Sequence, residues 1–191
     1  MGKQHILSKI KDSRWQSFDM PSFDELTPVT YSDKVQKFME TLEAVGGHAV
    51  LSDEGDDIDA LVHSIYPEAV TVASHLSYIH ADLNPDEVAE ASELNGTDLG
   101  VVEGVLAVAE NGCVWVPQTM KERAVLFISE RLVIIVDRND IVSSMHEAYS
   151  KIQMPDYGYG CFISGPSKTA DIAQALVMGA QAARDVTVII R

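Results

Sequence analysis

Apolar residues recur at helical spacing at Val35, Phe38, Met39, Leu42 and Val45, and Gly46-Gly47 then offers a left-handed stop. This spacing predicts a helix over about 33–46. The pattern next shortens to a strand-like run, Ala49-Val50-Leu51. An acidic loop, Asp53-Glu54-Gly55-Asp56-Asp57, follows, and Ile58, Leu61, Val62 and Ile65 return to helical spacing. The strand, loop and helix unit then recurs. Glu68–Ser74 is a β-rich run, and Asn84-Pro85-Asp86-Glu87 has the proline and acidic first turn of a helix start.

Further strands are expected at Leu99–Val102, Cys113–Val116, Arg131–Val136, Gly160–Ile163 and Val186–Ile190, with helices near 122–128, 139–151 and 169–179. Short apolar strands alternating with helices predict a three-layer α/β fold with a mainly parallel sheet covered on both faces. In such sheets ligands bind beyond the carboxyl ends of the strands, which places Ser52 and Asp53 near the expected crevice. Residues 1–32 read as an N-terminal arm, with Pro21, Pro28 and a short helix whose face holds Ile6, Ile10 and Trp15. Residues 33–191 read as one domain.

Composition narrows the function classes. The net charge is −15, from 14 basic and 29 acidic side chains, which repels a phosphate backbone and argues against nucleic-acid binding. The longest apolar run, around Leu132–Val136, is far short of the roughly 20 residues that span a bilayer. The first residues show no secretory pattern, so a cytoplasmic location is expected. Cys113 and Cys161 stand alone, without the spacing of a disulfide framework, a zinc site or an iron–sulfur site. No nucleotide-binding fingerprint or P-loop occurs either. His75 and His80, five residues apart, fit no familiar metal motif, and no metal is assigned. The acidic cluster from Asp53 to Asp59 departs from the EF-hand pattern and reads as a solvated helix start.

The sharpest candidate for chemistry is Gly160–Ile172, where a strand gives way to Ser164, Gly165, Pro166, Ser167, Lys168 and Thr169 before a predicted helix. Free N–H groups at a helix N-terminus attract phosphate or carboxylate, and Lys168 adds positive charge. The alternative is a plain helix cap, with Ser167 or Thr169 as N-cap and Asp171 favoured by the dipole. A second candidate is Glu110-Asn111-Gly112. There Asn111-Gly112 between apolar runs is itself a hairpin signal, and Glu110 either satisfies turn donors or does chemistry.

The run Ile163–Ile172, followed by Leu176-Val177 and Gly179-Ala180, resembles the C-terminal signature of the LUD family of lactate-utilisation subunits, of the lactate-utilisation protein C type. Lys168 stands where the family commonly has Arg. Gln181-Ala182-Ala183-Arg184 stands where it typically reads His-Gly-Pro-Arg, so only Arg184 is kept. Ala109–Val114 is similar to a second family segment, Ala-Glu-Thr-Gly-Thr, through Glu110 and Gly112.

This resemblance implies a Rossmann-like fold of the NagB/RpiA/CoA-transferase type. It also implies a subunit for oxidation of L-lactate to pyruvate beside iron–sulfur partner proteins, with a small carboxylate or phosphate ligand. Under it the ligand site comprises Asn111, Gly112, Ser164, Gly165, Pro166, Ser167, Lys168, Thr169, Asp171 and Arg184, with Glu110 as the catalytic candidate. The cofactor is left open. Because Glu110-Asn111-Gly112 also reproduces the nucleophile triplet of class I CoA-transferases, the alternative is a stand-alone acyl-CoA transferase or hydrolase, or a sugar-phosphate isomerase, using Glu110.

Overall fold

Runs of branched apolar residues suit strands buried on both faces, and the chain places its longest such runs at the centre of a parallel sheet. The computed structural model describes residues 2–13, 19, 22, 27–153, 158–169, 177–180 and 182–191. The principal sheet contains β1 (His48–Leu51), β2 (Val72–Ala73), β3 (Leu99–Glu103), β6 (Arg131–Val136) and β11 (Asp185–Ile190). Its order is β1-β11-β6-β3-β2, with every pair parallel. The strands step away from β1 to the far edge and then return inward.

Alternation along β6 separates two cores. Val133 and Ile135 face one side with Val101, Leu99 and Ile189, covered by Val62 of α3 (Ile58–Ile65). Leu132, Ile134 and Val136 face the other with Val188 and Ile190, covered by Phe38 and Leu42 of α2 (Lys34–Ala44) and by Val125 and Leu126 of α4 (Val125–Ile128). The result is a three-layer α/β fold with a mainly parallel central sheet. Asp33 and Asp57 start α2 and α3 by accepting from the N–H groups of Gln36 and Ala60, as N-caps do.

A second, mixed sheet shares this core with α2 and α4. It comprises β4 (Leu106–Val108), β5 (Cys113–Pro117), β7 (Ile141–Val142) and β8 (Gly160–Ile163), in the order β7-β4-β5-β8. Its outer face packs on α5 (Met145–Lys151) through Trp115, Phe162 and Ala148. Two further short strands, β9 (Lys168–Thr169) and β10 (Val177–Met178), pair antiparallel. Near the N-terminus, α1 (Lys3–Asp12) leaves Ile6, Leu7 and Ile10 exposed, and Trp15 lies outside the described residues.

Five expected elements change. The run from Glu68 to Ser74 forms only the two-residue β2, because the N–H groups of Val70 and Thr71 both donate to Asp98 Oδ2, at 2.9 Å each. The same bonds hold the Asp98 carboxyl below its usual range. The helix expected from Asn84 stops after a turn, followed by a short 3₁₀ segment at Ala91–Leu94. Its acceptors are spent on the next loop: Asp86 Oδ1 takes the Lys121 N–H and the Pro85 carbonyl takes that of Glu122.

The helix expected over 139–151 yields Ile141-Val142 to β7, which pairs with Ala107 and Val108, and begins only at Met145. The helix expected over 169–179 is contradicted at its ends, where Thr169 pairs with Val177 and Lys168 with Met178. Residues 170–176, including Asp171, lie outside the described residues. The helix expected at 122–128 is reduced to the single turn α4.

Candidate functional site

The connection after β1 runs through α3 on one face, whereas that after β6 runs through β7 on the other. Loops that diverge to opposite faces open a crevice at the carboxyl ends of the strands between them. Here that crevice encloses about 510 Å³ above β1, β11 and β6. Its lining includes Ser52, Asp53, Gly55, Asp137, Arg138 and Arg191. This volume lies within the ordinary range for small-molecule sites.

Each wall is braced locally. Asp56 accepts from the Asp53 N–H at 2.8 Å, and Asp137 Oδ1 accepts from both the N–H and the side-chain amide of Asn139. Gly55, at φ +93°, supplies the left-handed turn of the first loop. The Arg138 guanidinium donates from Nη2 to the Ser52 carbonyl at 2.9 Å, joining the two loops. Ser52 is buried, and its N–H donates to the Ile190 carbonyl. With Glu54, the lining holds four carboxylates and two guanidinium groups. The surrounding field is therefore negative, and the two guanidinium groups are the positive points within it.

The carboxyl edge continues past the crevice. Glu103, which ends β3, accepts from Tyr78 Oη at 2.6 Å and from Arg191 Nη2 at 3.1 Å. Burial, and next the bond to Glu103, push the Tyr78 phenol above its ordinary range. His75, just after β2, has Nε2 3.2 Å from Thr119 Oγ1, while its buried Nδ1 finds no hydrogen-bond partner among the described residues.

The residues singled out from the sequence lie at the other end. Gly47, Glu130 and Arg184 lead into β1, β6 and β11, so the 164–169 segment that packs beside them sits at the amino edge of the sheet. Lys168 donates to the Val45 carbonyl and so caps the C-terminus of α2, where a cation is favoured. The Ser167 N–H donates to the Ala183 carbonyl. Arg184 pairs with Glu130 Oε2 at 2.9 Å, away from Lys168's partner.

Two predicted segments do meet, since Ser164 Oγ donates to the Asn111 carbonyl at 2.9 Å. Both rest on α2: a Cβ on Gly112 would stand 2.8 Å from the Leu42 nitrogen, and one on Gly165 would stand 2.9 Å from the Val45 carbonyl oxygen. Glu110 Oε2 accepts from the Met145 N–H at 2.9 Å and thereby satisfies a donor in the first turn of α5. Ser164, Gly165 and Ser167 line a separate cleft of about 240 Å³ with Phe127, Phe162 and Ala183, while Pro166 is buried and Thr169 lies in β9.

Among the described residues, no three His, Cys, Asp or Glu side chains gather as metal ligands, and no helix is long and apolar enough to cross a membrane. Ser52 and Asp53 were indicated by their place after β1. Arg138 and Arg191 were missed, although each follows a predicted strand within two residues, which is the signal that would have found them.

The sequence matches the LUD domain family over residues 75–190. No curated protein gives a match. In structure the chain is similar to a DUF162 family protein from Deinococcus radiodurans, with a TM-score of 0.61 and 15% identity, over 85% of this chain and 99% of that one. At that identity the likeness concerns the fold.

Proposed function

The chain belongs to the LUD domain family, and on that premise we propose that it is a subunit for L-lactate utilisation that binds a small carboxylate or phosphate anion in the carboxyl-end crevice. In this reading iron–sulfur partner subunits carry the electrons of the lactate to pyruvate oxidation, because neither isolated cysteine of this chain has cluster-ligand spacing. The observation that carries the proposal is Arg138, held by one bond to the Ser52 carbonyl at the mouth of a crevice of ligand size. Its remaining guanidinium donors are suited to a carboxylate or phosphate oxygen.

The test is a thermal-unfolding titration of the purified protein with L-lactate, pyruvate, inorganic phosphate and CoA. At least one should raise Tm, since a ligand of the native state stabilises it. That response should vanish in Arg138→Ala and persist in Lys168→Ala. Loss in Lys168→Ala alone would move the site to the amino edge.

A further inference from the structure

We propose that Arg191 is a second anion-binding group of the crevice, and that Glu103, supported by Tyr78, is the positioning residue that holds it there. This inference rests on the crevice reading above. Arg191 follows β11, the strand between β1 and β6, and so stands at the middle of the crevice floor. Its main chain is fixed on both sides: its N–H donates to the Val136 carbonyl at 3.0 Å, and its carbonyl accepts from the Arg138 N–H at 2.9 Å. The two arginines are thus joined through the backbone.

The side chain of Arg191 reaches across the end of β6 to Glu103, which pairs with Ile135 in the sheet register. Nη2 donates to Glu103 Oε1, Nη1 lies 3.4 Å from Tyr78 Oη, and Cζ stands 5.8 Å from the centre of the Tyr78 ring. Tyr78 Oη donates to the same Glu103 oxygen at 2.6 Å. One carboxylate oxygen therefore gathers two donors and limits a long side chain that is otherwise 43% exposed. A guanidinium carries five N–H donors, so these bonds leave others uncommitted for a ligand. Pre-positioning matters because immobilising a long side chain at the moment of binding costs affinity.

Calorimetric titration of the full chain with L-lactate, pyruvate and inorganic phosphate tests this in wild type, Arg191→Ala, Glu103→Ala, Glu103→Gln and Tyr78→Phe. The expected result is binding of at least one probe by wild type, weakened about tenfold or more in Arg191→Ala. Glu103→Ala should weaken it about threefold to tenfold, the scale of ordering one side chain. Glu103→Gln keeps an oxygen acceptor for both donors and should restore most of the affinity, which a mere loss of charge would not do.

Equal or tighter binding in Glu103→Ala would show that the carboxylate only competes with the ligand, overturning the proposal. So would unchanged binding in Arg191→Ala. If that unchanged binding disappears in Arg138→Ala, only this inference falls. Absence of binding by wild type removes it together with the crevice reading. Should Glu103→Ala fail to fold, Tyr78→Phe supplies the decision: about twofold or greater weakening supports the brace, and unchanged affinity contradicts it.

Discussion

The Arg138 guanidinium donates to the Ser52 carbonyl across 2.9 Å and ties the loop after β6 to the loop after β1. Both loops emerge at the carboxyl edge, so this contact shapes the crevice mouth as well as presenting a cation. Arg138 is exposed, and its hydrogen bond contributes about 0.5–1.5 kcal/mol at most. Arg138→Ala should therefore leave a folded protein, with a denaturant midpoint close to wild type, while abolishing the anion response. A large fall in stability with the response intact would assign Arg138 a purely structural role.

Gly112 gives a sharper separation between structure and chemistry. It has φ +63°, and an added Cβ would approach the Leu42 backbone to within 3 Å, closer than α2 tolerates without moving. Gly112→Ala should destabilise by about 2–4 kcal/mol, from left-handed strain plus overpacking. Glu110→Gln should cost less than about 1 kcal/mol, because an amide oxygen still accepts from the Met145 N–H. Urea unfolding of the two variants checks the order. The CoA-transferase alternative instead requires Glu110→Gln to abolish a measurable acyl transfer.

Core packing sets a third expectation. Leu42 is fully buried between α2 and the principal sheet, beneath the turn that holds Gly112. Leu42→Ala should cost about 2–5 kcal/mol. Since the same helix supports Gly165, the change should also disturb the amino-edge cleft. Amide exchange at Ser164–Ser167 should accelerate, and unchanged protection there would contradict the shared platform.

Alkaline stability follows from buried acids that stay protonated in the native state. Burial pushes the Cys113 thiol up to about 12 and also raises the Tyr66 phenol above its ordinary value. Above about pH 9 the unfolded thiol ionises while the folded one does not, so the folded state binds more protons and stability falls as pH rises. The denaturant midpoint should decline between pH 9 and 11, less steeply in Cys113→Ala. The native Cys113 thiol should also resist disulfide reagents at pH 8 and react once unfolded. A flat midpoint across that range would contradict the raised thiol.

Much of the fold was legible where burial is continuous or periodic. The apolar run of β6 could hardly be anything but a central strand, and the spacing of Phe38 and Leu42 specified the buried face of α2. What failed depended on distant partners. Ile141-Val142 became a strand because β4 offered an edge, and Val70 and Thr71 left their strand for Asp98. The surroundings of the candidate site differ for the same reason. The helix start expected near Thr169 is replaced by the pairing of that residue with Val177, and Lys168 donates to the Val45 carbonyl. Ser52 and Asp53 were found by a rule about strand ends. Applied again after Val136 and Ile190, the same rule leads to Arg138 and Arg191.

The proposed function places the ligand at the carboxyl edge of the parallel sheet. Backbone amide chemical shifts recorded during titration with L-lactate, pyruvate and inorganic phosphate test it directly. Saturable shifts are expected to centre on Ser52–Asp56, Asp137–Asn139 and Arg191, with Ser164–Thr169 unmoved. Shifts centred on Ser164–Thr169, with the carboxyl-edge loops silent, would contradict it.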